Sequence, residues 1–197
     1  MKAFVIGFPK AGTTTLHTAL EKSGLRSAHW RTAEAFVGRL MYRGYLKSGD
    51  PFARLSEFDC VTQADVCIPQ QRVNCWPNLD FRIISRIRES HEECVFLLNT
   101  RQVDKHIASI RGWNDLHSRL VEADVPGLPH GFGETDAELE QWIEGHYAAC
   151  RGFFGDDPRF VEFDIADENA PSLLESALDI SVAWWGAANR RPEEAAG

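Results

Sequence analysis

The stretch from Ala3 to Lys22 constrains the fold more than any other. Ala3-Phe4-Val5-Ile6 is an apolar run of the right length for one buried strand of a parallel sheet. Gly7, Pro9 and Gly12 follow at once and require a sharp turn. Thr13-Thr14-Thr15 then leads into Leu16-His17-Thr18-Ala19-Leu20-Glu21-Lys22, where Leu16 and Leu20 share one helical face. In a strand–turn–helix unit of this kind, the first helical N–H groups have no partner inside the helix and point out of its end. The helix macrodipole adds positive potential there, so the stretch predicts a site for a phosphate or a sulfate.

The loop nearly fits the triphosphate-binding pattern G-x-x-x-x-G-K-[ST]. Gly7 and Gly12 have the required spacing and Thr14 stands at the hydroxyl position, but Thr13 replaces the lysine, and Lys10 lies three residues earlier. Two readings follow. One is a strand-to-helix turn with an incidental surface lysine. The other is an anion loop built for a nucleotide other than ATP or GTP. Turn glycines, hydroxyls and a lysine all converge on one helix end, which favours the second.

The rest of the chain alternates in kind. Helical periodicity ends near Ser23-Gly24, and Leu25 to Trp30 reads as an extended segment expected to return beside the first strand. Thr32 to about Lys47 reads as a helix capped by Thr32, and Cys60-Val61-Thr62 as a short strand. Asn74 to Asp80 looks like loop, and Phe81 to Glu92 like a helix. Cys94 to Thr100 is the best strand in the chain, with a helix expected from Asp104 to about Trp113. Pro126 to Gly133 is a loop, and Thr135-Asp136-Ala137-Glu138 opens a helix that runs to about Phe154. Arg159 to Asp164 is a further strand, and Pro171 to about Ile180 a last helix. Alternating strands and helices without a long linker predict a single α/β domain over residues 1–197, with a central parallel sheet flanked by helices.

Charge and cysteine content narrow the function. A net charge of −8 with no basic block argues against nucleic acid and against a polybasic membrane patch. The five cysteines form no C-x-x-C pair, which fits reduced thiols in the cytoplasm better than a disulfide framework or a zinc site. No apolar run approaches the ~20 residues of a membrane span, and the first strand begins almost at Met1, so neither an anchor nor a leader is expected.

A second anion site is readable after the best strand. Arg101 stands at its carboxyl end, on the ligand-binding edge of an open α/β sheet, and Ser109 follows in the next helix. A guanidinium fork suits a phosphate, and a serine hydroxyl adds a donor. Taken together, Pro9-Lys10-Ala11-Gly12-Thr13-Thr14 and the group Arg101, Asp104 and Ser109 resemble the two nucleotide motifs of the sulfotransferases. These enzymes draw on 3′-phosphoadenosine 5′-phosphosulfate (PAPS). The late strand Phe160 to Asp164, the helix around Trp142 to Tyr147 and the segment Trp184 to Arg191 extend the likeness. The chain departs from it at Thr15, where many members carry an aromatic residue, and in lacking an R-K-G segment.

The resemblance implies a three-layer P-loop NTPase-like fold and transfer of a sulfuryl group from PAPS to a small-molecule or glycan acceptor, with no metal. It implies that Lys10, Ala11, Gly12, Thr13, Thr14 and Thr15 hold the 5′-phosphosulfate and that Arg101 and Ser109 hold the 3′-phosphate. Lys10 would stabilise the leaving oxygen. For the proton of the acceptor, His29 is the first candidate base, with Glu34 and Asp65 as alternatives. His17 reads as structural, and His106 and His117 as surface groups. Trp30, Trp76, Trp113 and Trp142 read mainly as core, with the lining of an acceptor pocket as the alternative. A P-loop kinase or NTPase, and a nucleotide-binding regulator without turnover, remain the other readings.

Overall fold

The computed structural model describes residues 1–188. The first half contains β1 (Ala3–Val5), α1 (Thr13–Lys22), β2 (Ser27–His29), α2 (Val37–Ser48), β3 (Cys60–Gln63), β4 (Val66–Ile68) and β5 (Val73–Cys75). The second contains α3 (Phe81–Ser90), β6 (Val95–Thr100), α4 (Val103–Arg111), α5 (Leu116–Glu122), α6 (Asp136–Phe154), β7 (Phe160–Asp164) and α7 (Ala170–Leu178). Five strands form one sheet in the order β2-β3-β1-β6-β7, and every neighbouring pair is parallel. The expected α/β architecture with a central parallel sheet and flanking helices is present.

Side-chain alternation along the strands divides the core in two. Phe4 and Ile6 of the first strand region, with Phe96 and Leu98 of β6, face a large cluster that contains Leu40 and Met41 of α2, Ile84 and Ile87 of α3, and Ile143 and Phe154 of α6. Ala3, Val5 and Leu97 point the other way, onto Leu16 and Leu20 of α1 and Leu174 and Leu178 of α7. Helices therefore cover both faces. Thr135 closes a complete capping box with Glu138 at the start of α6, as its sequence predicts. Among the described residues no helix is long and apolar enough to cross a membrane.

Several local expectations need correction. The segment Leu25–Trp30 is extended, but β2 pairs with β3, so it lies one strand removed from β1. Thr32 does not start a helix. Its hydroxyl accepts the N–H groups of Glu34 and Ala35 in a turn, and α2 begins five residues later at Val37. The loop expected from Asn74 covers only residues 76–80, because Asn74 and Cys75 belong to β5, which pairs antiparallel with β4 in a small hairpin outside the main sheet. Helix α1 starts earlier than its apolar spacing suggests, at Thr13.

Two glycines test this packing. A Cβ on Gly7 would lie 2.6 Å from the Asn99 carbonyl oxygen, which is backbone and cannot swing away. Gly145 is exposed inside α6 with nothing within 4 Å of a Cβ. Urea unfolding should show Gly7→Ala losing about 1–3 kcal/mol and Gly145→Ala gaining about 0.5–1 kcal/mol.

Candidate functional site

Strand order reverses at β1, which has β3 on one side and β6 on the other. Open α/β sheets bind ligands in the crevice outside the carboxyl ends of the strands at such a point. The loop after β1 occupies it. Lys10 and Gly12 both have left-handed backbone, with φ of 68° and 87°. Glycine takes that conformation at no steric cost, whereas for lysine it costs roughly 1–2 kcal/mol. A side chain at Gly12 would also strike Ile165, which lies 2.2 Å from an ideal Cβ.

The loop is held from behind through its carbonyls. His146 of α6 donates to Ile6 O (2.7 Å), and Asn78 donates to Gly7 O (2.8 Å). His106 of α4 donates to Pro9 O (2.8 Å), Arg101 to Lys10 O (3.1 Å) and Asn99 to Ala11 O (2.7 Å). Phe8 is fully buried among His106, Trp142, His146 and Tyr147, with ring centroids 4.5–5.9 Å away. The first intrahelical bond runs from Leu16 N–H to Gly12 O, so the N–H groups of Thr13 to Thr15 precede the helical ladder.

A cavity of about 1050 Å³ opens over this loop. Lys10, Gly12, Thr13, Thr14 and Thr15 line it, and so do Arg101, Ser109, His29 and Asp65. Residues read as two separate anion motifs thus meet in one cavity. Ala11 does not reach it: the residue is fully buried, and its carbonyl is the acceptor for Asn99. Asp104 is exposed in the first turn of α4 and lies off the cavity, while Lys105 lines it. Glu34 also lies elsewhere, paired with Arg54 at 3.0 Å. Cations on the wall are Lys10, Arg31, Arg101, Lys105 and Arg119, against the acids Asp65, Asp115 and Asp164. In a chain of net charge −8 this is a local reversal that suits an anion. Lys10 Nζ sits 3.2 Å from the Trp113 ring centroid.

Three groups on the cavity wall are displaced from their ordinary acidity, and for one of them, Cys67, burial pushes the thiol up to about 12. Burial, with His17 adding to it, pulls His29 down to about 4. The His29 ring stacks on His17 at 4.8 Å, and its Nδ1 lies 3.2 Å from Thr62 Oγ1. Burial pushes Asp65 up to about 6, opposed by a hydrogen bond from Gln63. Gln63 Nε2 donates to Asp65 Oδ2 at 3.0 Å, and Gln63 Oε1 accepts from Thr13 Oγ1 at 3.2 Å.

Sequence reading misplaced or missed several groups. His106 is not a surface group but wholly buried. His117 is half-buried, 2.8 Å from Gly133 O. Trp76 and Trp142 are core as expected, whereas Trp30 and Trp113 are partly exposed and line the cavity. Asn78, Asn99, His146 and Gln63 were not anticipated. Asn99 left one legible signal, the first polar residue after the apolar run Val95–Leu98 of β6. The C-terminal segment also reaches the loop: Thr15 Oγ1 donates to Gly186 O at 3.0 Å, and Trp185 to Ala188 line the cavity. Asn189, Arg190 and Arg191 lie outside the described residues. No protein-family model matches the chain, and a search of curated proteins finds no match.

The buried histidines set an acid limit on stability. Burial lowers His106 and His146 to about 4, from an ordinary 6.5. Each is neutral when folded and gains a proton on unfolding between those values, so each contributes stability above pH 6.5 that is lost toward pH 4. Asp65 acts oppositely. Its raised value penalises the folded state above pH 6, and the penalty vanishes as pH falls below the ordinary 3.8. Urea titrations should show stability falling with acid between pH 6.5 and 4.5, with His146→Gln reducing that slope by about 1.4 kcal/mol per pH unit. At neutral pH, Asp65→Asn should raise stability by an amount on the order of 3 kcal/mol.

Proposed function

We propose that this chain is a sulfotransferase that moves a sulfuryl group from PAPS to a hydroxyl or amine of a small-molecule or glycan acceptor. One observation carries the reading. Lys10 and Arg101 are 91 positions apart in sequence, yet the loop of one and the strand end of the other meet in a single cavity at the reversal of strand order. The loop and the start of α1 supply donors for the 5′-phosphosulfate, and Arg101 and Ser109 supply them for the 3′-phosphate. Counting only the main-sheet strands, the order is 2-3-1-4-5, which supports assignment to the P-loop NTPase-like class. Thr13 at the usual lysine position counts against a triphosphate.

The chemistry asks for little beyond placement and charge. The acceptor oxygen or nitrogen forms a bond to sulfur as the bond between sulfur and the 5′-phosphate oxygen breaks. The electron pair leaves on that oxygen, where Lys10 and the N–H groups of the first helical turn stabilise it. Leaving the Trp113 ring for this forfeits a cation–π contact of about 0.5–1 kcal/mol. Of the candidate bases His29, Glu34 and Asp65, His29 and Asp65 line the cavity. The five cysteines are all free, which fits a cytoplasmic enzyme.

The product nucleotide, 3′-phosphoadenosine 5′-phosphate, should raise the melting temperature by several degrees. Lys10→Ala, Arg101→Ala and Ser109→Ala should each reduce that shift. Differential scanning fluorimetry measures it. Stabilisation by ATP with magnesium, and none by the 3′-phosphorylated nucleotide, would contradict the reading.

A further inference from the structure

We infer that Asp65, rather than His29, takes the proton from the acceptor, and that a Thr13–Gln63–Asp65 hydrogen-bonded chain ties this base to the anion loop. The inference rests on the transfer reading above and deepens it. Asp65 stands two residues beyond the carboxyl end of β3, a neighbour of β1, and so lies on the ligand-binding edge of the sheet. It is only 5% exposed, and its surface faces the cavity. Gln63 lies between it and Thr13, with bonds of 3.0 and 3.2 Å. Only one orientation of the Gln63 amide serves both: Nε2 must donate to the carboxylate, which leaves Oε1 for the Thr13 hydroxyl. The carboxylate is thus fixed by the same residue whose neighbours receive the leaving-group charge.

His29 is differently placed. Its Nδ1 is engaged with Thr62, and the ring stacks on a second imidazole 15° from parallel. A proton gained there would sit against His17. Held down near 4, the imidazole is also a weak base at neutral pH. A carboxylate near 6 is better matched to proton transfer there. Cys67 interacts electrostatically with Asp65, and the other titratable groups on the cavity wall are Lys10, His29, Arg31, Arg101, Lys105, Asp115, Arg119 and Asp164. In the step, the acceptor's oxygen bonds to sulfur and the sulfur–oxygen bond to the 5′-phosphate breaks. The electron pair stays on the phosphate oxygen, and the acceptor proton passes to an Asp65 oxygen.

Water is the probe acceptor. Release of labelled sulfate from PAPS labelled at sulfur should be followed from about pH 5 to about pH 8, with 3′-phosphoadenosine 5′-phosphate binding measured on the same samples. The wild-type rate should fall on the acid side with a one-proton limb near pH 6. Asp65→Asn should lower the rate at least ~100-fold, abolish the limb and keep the nucleotide-induced melting shift. His29→Gln should keep the limb. Absence of that limb in the wild type, a limb or near-normal rate in Asp65→Asn, or loss of the limb in His29→Gln would overturn the assignment. Nucleotide binding without any sulfate release by the wild type would also overturn it and leave the binding reading standing. Failure of the nucleotide to bind would remove the reading beneath it.

Discussion

The structure depends on how the loop between β1 and α1 is held. Five carbonyls, from Ile6 to Ala11, accept hydrogen bonds from side chains of four separate regions of the chain. Each such bond contributes about 1 kcal/mol net, but leaving a buried carbonyl unpaired costs about 1–3 kcal/mol. The loop therefore has one low-energy conformation before any ligand arrives. Phe8 adds to this by locking into an aromatic cage beneath the site. Preorganisation of this kind is what electrostatic catalysis requires, because donors that are already aimed need no rearrangement when charge develops.

That support explains why helices far from the loop matter to it. His146 lies on α6, a helix whose other buried residues belong to the main core. His106 lies on α4, and its ring nitrogen holds Pro9 while Ile107 and Ile110 on the same helix face the core. A histidine protonated at this depth would retain its donor to the loop but carry an unpaired buried charge, which is why both stay neutral well below the usual range. The expected loss of stability in acid and the loop geometry thus both follow from the same pair of side chains.

Local signals made much of the fold legible in the sequence. The apolar run and glycine turn announced β1, the loop and α1. Cys94 to Leu98 announced β6, and the Thr135–Glu138 pair announced α6. Non-local pairing was not legible. Nothing in Ser27–His29 says that Cys60–Gln63 will insert between it and β1, since that choice is made by sheet packing. Strands of three residues, such as β4 and β5, carry too little alternation to separate from loop. His106 was hidden by its charged neighbours Asp104 and Lys105, although it stands one residue before Ile107 on the buried face. The loop and Arg101 could be paired from sequence because strand ends share an edge. Gln63, which links the loop to Asp65, could not, because its role depends on β3 lying beside β1.

The central claim is that one cavity binds a nucleotide phosphorylated at both its 5′ and 3′ positions. Isothermal titration with 3′-phosphoadenosine 5′-phosphate and with adenosine 5′-phosphate, which lacks only the 3′-phosphate, tests it most directly. The account predicts at least ~10-fold tighter binding of the first, equivalent to about 1.4 kcal/mol, and loss of that difference in Arg101→Ala. Equal affinity for the two nucleotides, or a preference for the second, would contradict it.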